Sequence, residues 1–374
     1  MVQKQAKTRK KNASGGGGGG GGSRTAPTSA SPKEPFATST STNGGTSDAT
    51  QLGLPEQQRL LNHFTAAFDA VLTGEAFPQL LQEIKQALFQ RDFARAFGRE
   101  DYLEAYAARW SPTRALCYAG IFRGYLPPHL GGSSGGDVSE EAQHQQQGAG
   151  VSPQQRRRTK MVCIGGCAAE HVAFASYLQS LESSSPDPST SSGGKLTLLD
   201  SAPWAGVSAK MQSTLTSPLP LSKYASAAAK ATNVPLVSAP EQLDLRILQQ
   251  DALDVTESQW ADILTPLYTN GGIAKTTKFL KSLEAALPDG ALLLVVDSPG
   301  SYSVAALGKE QKKYPMQWLL HHTLTDQVVG TAHEWTRLET HDSLWFRLSD
   351  QLSYPIQLEN MRYQLHLYRK DKTP

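Results

Sequence analysis

Three sets of residues in this chain have the type and spacing to do chemistry. Gly165-Gly166 follow the apolar run Met161-Val162-Cys163-Ile164, which has the length and composition of a buried parallel strand. From Glu170 onward, Val172, Phe174, Ala175 and Leu178 recur at helical steps. A strand that turns through glycines into a helix start lets a ligand approach the backbone and points unpaired amides at it. Gly165, Gly166 and Ala168 are therefore candidate cofactor contacts. A tight turn that binds nothing uses the same two glycines, so both readings stand.

Two acids form the second set. Asp200 closes the run Lys195–Asp200, and Asp251 closes Leu243–Asp251, with Ala252 beside it. An acid at the end of the second strand can accept both ribose hydroxyls of an adenosine cofactor, and one at the third can meet the adenine amino group. A turn acid or helix N-cap is the plainer role for either. The third set is Tyr268, Asn270, Asp297 and Tyr302, all placed near predicted strand C-termini, where α/β folds hold their ligands. Nothing in their spacing assigns one of them as a base.

The elements that must position these residues alternate strand and helix, as a doubly wound sheet should. Asp262–Asn270 reads as a fourth strand, although Pro266 within it is uncomfortable for a central one. A helix carrying Phe279, Leu280, Leu283 and Leu287 follows. Ala291–Asp297 is the clearest buried strand. The last third changes character: Leu344–Leu348 and Asn360–Lys370 alternate, with no helix-length segment between them, which predicts an antiparallel pair. Upstream, Leu60, Leu61, Phe64, Phe68, Val71 and Leu72 share one helical face. Leu80, Leu81, Ile84, Leu88 and Phe89 form a second face, continued by Phe93, Phe97, Leu103 and Tyr106. Ser111-Pro112 reads as an N-cap and first-turn proline that start a further helix.

The organisation expected is a basic, glycine-rich tail without a core over 1–54 and a helical prefix over 55–125. A low-complexity linker follows over 126–159, then a sheet domain over 160–374 with a Ser/Pro/Gly insert at 183–194. Five basic residues and no acid lie in the first eleven positions, while the whole chain carries +2, so the remainder is net negative by three. A uniformly basic nucleic-acid binder is thereby excluded. Local basic clusters remain: Arg156-Arg157-Arg158, and Arg109 with Trp110 and Arg114, as candidate RNA contacts or as ordinary surface charge. Three cysteines without a CxxC pair argue against structural zinc and for a reduced, intracellular protein. No apolar run reaches membrane-spanning length.

A parallel sheet finished by an antiparallel hairpin is the habit of class I methyltransferases, and this tilts the cofactor toward S-adenosylmethionine. The stretches RDFARAF (Arg91–Phe97), RWSPTRALCY (Arg109–Tyr118), IGGCAAE (Ile164–Glu170), LLVVDSPGSYS (Leu293–Ser303) and LENMRYQLHLYRK (Leu358–Lys370) carry a resemblance. The chain resembles the fungal 25S ribosomal-RNA uridine-N3 methyltransferases from about Leu60 to Lys370. The resemblance implies a class I, Rossmann-like, mostly parallel seven-stranded sheet with an antiparallel C-terminal strand. It further implies S-adenosylmethionine as cofactor, large-subunit rRNA or a pre-ribosomal particle as partner, a nucleolar address, and no membrane or metal. One departure stands out: the general pattern places an acid two residues before the first glycine, and here that residue is Cys163. A ribosome-assembly factor with a methyltransferase fold and weak turnover is the alternative, and a nicotinamide-dependent oxidoreductase is the least favoured.

Overall fold

The computed structural model describes residues 52–130, 158–184, 193–256, 259–260, 279–280, 283, 286–300, 302–307, 310–325 and 335–371. The chain opens with helices α1 (Leu54–Leu72), α2 (Phe77–Phe89), α3 (Phe93–Phe97), α4 (Glu100–Tyr125) and α5 (Pro127–Leu130). Strand β1 (Thr159–Ile164), helix α6 (Ala168–Ser183), β2 (Gly194–Asp200), α7 (Ala205–Leu215), α8 (Ala227–Thr232) and β3 (Leu243–Gln249) follow in alternation. Then come β4 (Leu292–Asp297), β5 (Tyr302–Leu307), β6 (Glu310–Pro315), α9 (Met316–Leu324), β7 (Trp335–Phe346) and β8 (Met361–Lys370).

β1, β2 and β3 form a parallel sheet in that order, with Ile164 beside Leu199 and Asp200 beside Gln249. β4, β8 and β7 form an antiparallel sheet in that order. β8 was expected from Asn360, and β7 begins nine residues before the expected Leu344, with two register shifts along its pairing. The β5–β6 hairpin, a third small sheet, was not expected at all. Its signal was present, since Gly308-Lys309 separates the two runs. The predicted strand Asp262–Asn270 lies outside the described residues.

Alternate residues along each strand feed two hydrophobic cores. Met161, Cys163, Leu196, Leu198, Leu294, Leu365 and Leu367 join the first, with α1, α2, α4, α6 and α7. Val162, Leu199, Leu293, Val295 and Tyr368 join the second, with Trp260, Phe279, Leu283, Leu320 and Leu324. Period-2 alternation of this kind is what a sheet covered on both faces requires. The two larger sheets thus share both cores, and the prefix helices pack into the same first core as the strands, chiefly through α4 against α6.

Pro112 corrects the sequence reading. It starts no helix but sits inside α4, which runs unbroken for 26 residues. A proline in a helix interior removes the bond to the carbonyl four residues earlier, here Ala108. The Tyr354 hydroxyl donates to that carbonyl at 2.8 Å. A tertiary partner therefore replaces the lost bond, a contact that no local reading of Ser-Pro contains. Phe89 and Phe93 correct a second expectation, for they are 90% and 57% exposed rather than packed on the apolar face.

Candidate cofactor and substrate site

The turn after β1 is built as its sequence suggests. Gly165 and Gly166 have φ of 75° and 131°, a backbone that side chains rarely adopt. The space a Cβ would fill at Gly165 is open to 4 Å, so a ligand can reach that backbone. At Gly166 the same space is taken by the Glu170 carboxylate, 2.7 Å from the position of such a Cβ. No side chain caps α6, whose first-turn amides follow directly on the turn.

Asp200 locks the turn to β2. Its Oδ2 accepts the Gly166 N–H at 2.9 Å, and its Oδ1 accepts the Ala202 N–H at 2.7 Å. Burial raises the pKa of this carboxyl, the two backbone donors and the nearby Trp204 indole oppose that shift, and Asp251 adds to it. Each oxygen keeps a lone pair for a further donor such as a ribose hydroxyl. Asp251 lies close enough to be felt, and its Oδ1 accepts the Leu253 N–H at 2.9 Å to cap a short 3-10 turn over Ala252–Asp254. The structure thus brings Gly165, Gly166, Ala168, Asp200, Asp251 and the buried Ala252 to one end of the parallel strands. An open glycine backbone beside an anchored strand-end carboxylate fits an adenosine cofactor. A hollow of about 600 Å³, lined by Arg158, Gln212, Glu241 and Ile247 among others, lies along the outer strand β3 and touches none of these residues.

Sequence reasoning missed a buried polar group beneath this turn. Burial pushes the Glu170 carboxyl up to about 7, while the amides of Glu170 and Cys167 and the Arg114 guanidinium pull it down and Asp200 pushes it further up. Its Oε2 is buried without a hydrogen-bond partner among the described residues. Arg114, from α4, is held charged by the Tyr106 and Tyr118 rings and by Glu170 against the cost of its burial, and its Nη1 donates to the Trp110 carbonyl. The helical prefix therefore reaches the floor of the site. Glu170 at the third helical position was a visible signal, since such an acid faces the first-turn amides. Cys163 and Cys167 are buried thiols whose pKa burial drives up, so neither is a nucleophile.

Of the expected RNA contacts, Arg109 is buried and Arg114 is partly buried. Arg109 is 8% exposed and ion-paired to Glu359 at 2.5 Å, and Arg114 turns inward as described. Arg158 donates to the Glu241 carbonyl, while Arg156 and Arg157 lie outside the described residues. Of the candidate catalytic residues, Tyr268 and Asn270 lie outside them too, and Tyr302 opens β5 opposite Pro315 with an undescribed side chain. Asp297 ends β4 beside Gln364 of β8. Its Oδ1 accepts the Ser298 N–H at 2.6 Å, and its Oδ2 is buried without a partner among the described residues. Among the described residues no group of His, Cys, Asp and Glu has the geometry to hold a metal.

A family model described as "Putative SAM-dependent methyltransferase" matches residues 64–369. A protein of Saccharomyces cerevisiae named 25S rRNA (uridine(2843)-N(3))-methyltransferase is 28% identical over 316 residues, covering 78% of this chain and 77% of its own. Solved structures that match at low similarity include a SAM-dependent methyltransferase of Methanosarcina mazei, at TM-score 0.30 and 10% identity over 57% of this chain and 93% of that one. An O-methyltransferase family 2 protein of Planctomyces limnophilus matches at TM-score 0.30 and 11% identity, over 87% and 100%. With the family model spanning most of the chain and a glycine turn tied to a strand-end carboxylate, the protein belongs to this family of S-adenosylmethionine-dependent methyltransferases.

Proposed function

We propose that the protein methylates N3 of a uridine in 25S rRNA, on the free RNA or within a pre-ribosomal particle in the nucleolus. The likeness to the yeast enzyme along most of both chains carries this reading. S-adenosylmethionine, when bound, supplies an electrophilic methyl group. Gly165, Gly166 and Asp200 would hold it, with Asp251 and Ala252 toward its base. The fold implied is a single mostly parallel seven-stranded sheet in which the β1-β2-β3 and β4-β8-β7 strands both take part. Sharing of both cores by the two sheets supports it.

Uracil N3 carries a proton at neutral pH, and that proton must leave as the N3–methyl bond forms. Asp297 has one oxygen pinned by Ser298 and one without a partner among the described residues, which suits it to accept the proton. Because N3 lies on the Watson–Crick edge, the uridine enters unpaired or flipped out. Most of the acceleration is positional: the residues hold N3 in line with the methyl group. The weak-turnover assembly factor is favoured by one observation, Cys163 where the general pattern has an acid. The purified chain, given S-adenosylmethionine and deproteinised 25S rRNA, is expected to yield N3-methyluridine detectable by nucleoside mass spectrometry. No product with RNA or with pre-ribosomes, from a chain that binds the cofactor, would favour the assembly factor.

A further inference from the structure

The corner between α2 and α3 presents an unusual surface. Phe89 is 90% exposed and Phe93 57% exposed, and between them Arg91 stands at φ 56°, the one non-glycine residue with positive φ among those described. From Lys85 to Arg99 the sequence holds four cations, Lys85, Arg91, Arg95 and Arg99, against one acid, Asp92. Asp92 is occupied by capping α3 through the Arg95 N–H at 3.1 Å, and Arg99 by Asp101. Lys85, Arg91 and Arg95 are exposed and make no ion pair with any described residue. Two solvated rings and a left-handed arginine cost stability in an isolated protein.

The corner is connected to the site. α3 ends at Phe97, whose ring lies 5.1 Å from Tyr106 and 5.9 Å from Trp204, centre to centre. Trp204 is close enough to Asp200 to favour its ionised form. One turn of helix thus separates the exposed Phe93 ring from Phe97, which packs on Trp204 beside the cofactor site, and the family stretch Arg91–Phe97 spans that distance.

We infer that the α2–α3 corner is a docking surface for an unpaired segment of the substrate RNA, with Phe89 and Phe93 stacking on bases and Arg91, Arg95 and Lys85 meeting phosphates. The chemistry favours this occupant over an apolar protein: exposed rings interleaved with unpaired cations match π-faced bases on a charged backbone. A double helix offers no free base faces and is not accommodated. The inference rests on the rRNA-substrate reading.

The test uses the full chain, a short fluorescent uridine-rich single strand and its duplex, and two variants. Phe89→Ala/Phe93→Ala removes the rings. Arg91→Gly removes a charge while keeping a backbone that glycine adopts without strain. Single-strand affinity is expected to fall about tenfold for each ring lost, duplex affinity to stay as it is, and S-adenosylmethionine affinity by calorimetry to stay as in the wild type. Arg91→Gly should lower the salt slope of single-strand binding by about 0.7. Wild-type-like RNA binding by both variants overturns the surface and leaves the rRNA reading intact. No RNA binding by the wild type, with cofactor binding intact, overturns both. A concentration-dependent dimer in sedimentation that Phe89→Ala/Phe93→Ala abolishes would assign the corner to a second copy instead.

Discussion

Asp200 and Asp297 each occupy the last position of a strand, yet their oxygens are used differently. Both oxygens of Asp200 receive backbone N–H groups, from Gly166 and Ala202, so the residue is part of the frame before any ligand arrives. Asp297 receives one N–H, from Ser298, and buries its other oxygen without a partner among the described residues. An unsatisfied buried acceptor in a native fold marks strain or function. On the proposed function, the satisfied acid belongs to the cofactor site and the other keeps capacity for a proton.

The comparison breaks most decisively at Asp297. Asp297→Ala and Asp297→Asn should each slow methylation by about 10²–10⁴-fold, the range of a lost general base, while S-adenosylmethionine affinity holds. Single-turnover assays beside calorimetry check this, and a rate like that of the wild type removes Asp297 from the chemistry. Asp200→Ala should do the reverse. It loses the ribose acceptor and strands two amides at about 1–3 kcal/mol each. Cofactor affinity should fall roughly 100-fold, two hydrogen bonds to a charged group, and chemical denaturation should move to lower denaturant. Intact cofactor affinity in that variant would end the assignment of Asp200 to the adenosine site.

How much of this was legible depended on whether the signal was local. The glycine turn, Asp200, Asp251 and the β4 strand follow from runs of neighbouring residues, because strand period and turn chemistry are written locally. Pro112 was misread because its lost bond is repaired by Tyr354, 242 positions away in the sequence. Arg109 looked like a surface cation because its partner Glu359 is as remote. Phe89 and Phe93 fit a helical periodicity perfectly well, and only packing shows that this stretch of the apolar face is left exposed by the described residues. Glu170 was overlooked since its perturbation comes chiefly from burial, with Asp200 adding to it and Arg114 opposing it, none of which periodicity reports.

Glu170 sharpens the comparison as a third acid, the second with an oxygen unsatisfied among the described residues, and its effect is on stability. Its folded pKa of about 7 lies above the model-peptide 4.5, so the folded state holds the proton longer. The stability it contributes is complete below pH 4.5 and is lost as pH rises through about 7. His63, His171 and His366 act with the opposite sign. Burial lowers each to about 4 from 6.5, so their contribution is present above 6.5 and lost as pH falls through about 4. Glu170→Gln should therefore be compared with the wild type at each pH. The variant is expected to be about as stable near pH 4.5 and on the order of 2 kcal/mol more stable at pH 8, by urea titration. Parallel pH curves would mean that the carboxyl is ionised in the fold.

The smallest effect concerns arginines, where the same contrast holds. Arg109 is buried with its guanidinium on Glu359, tying α4 to the segment before β8. Arg91 is exposed, with no ion pair to any described residue. Because the Glu359 side chain is 68% exposed, its charge is well screened and the pair contributes about 0.2–1 kcal/mol. Glu359→Gln should thus lower stability by no more than that and leave the salt dependence of RNA binding unchanged. Arg91→Gly should do the opposite, with stability unchanged or slightly raised as the left-handed backbone is relieved, and a shallower salt slope. If Glu359→Gln shifted the slope and Arg91→Gly did not, Arg109 would be the RNA contact after all, its guanidinium leaving Glu359 for a phosphate when RNA binds.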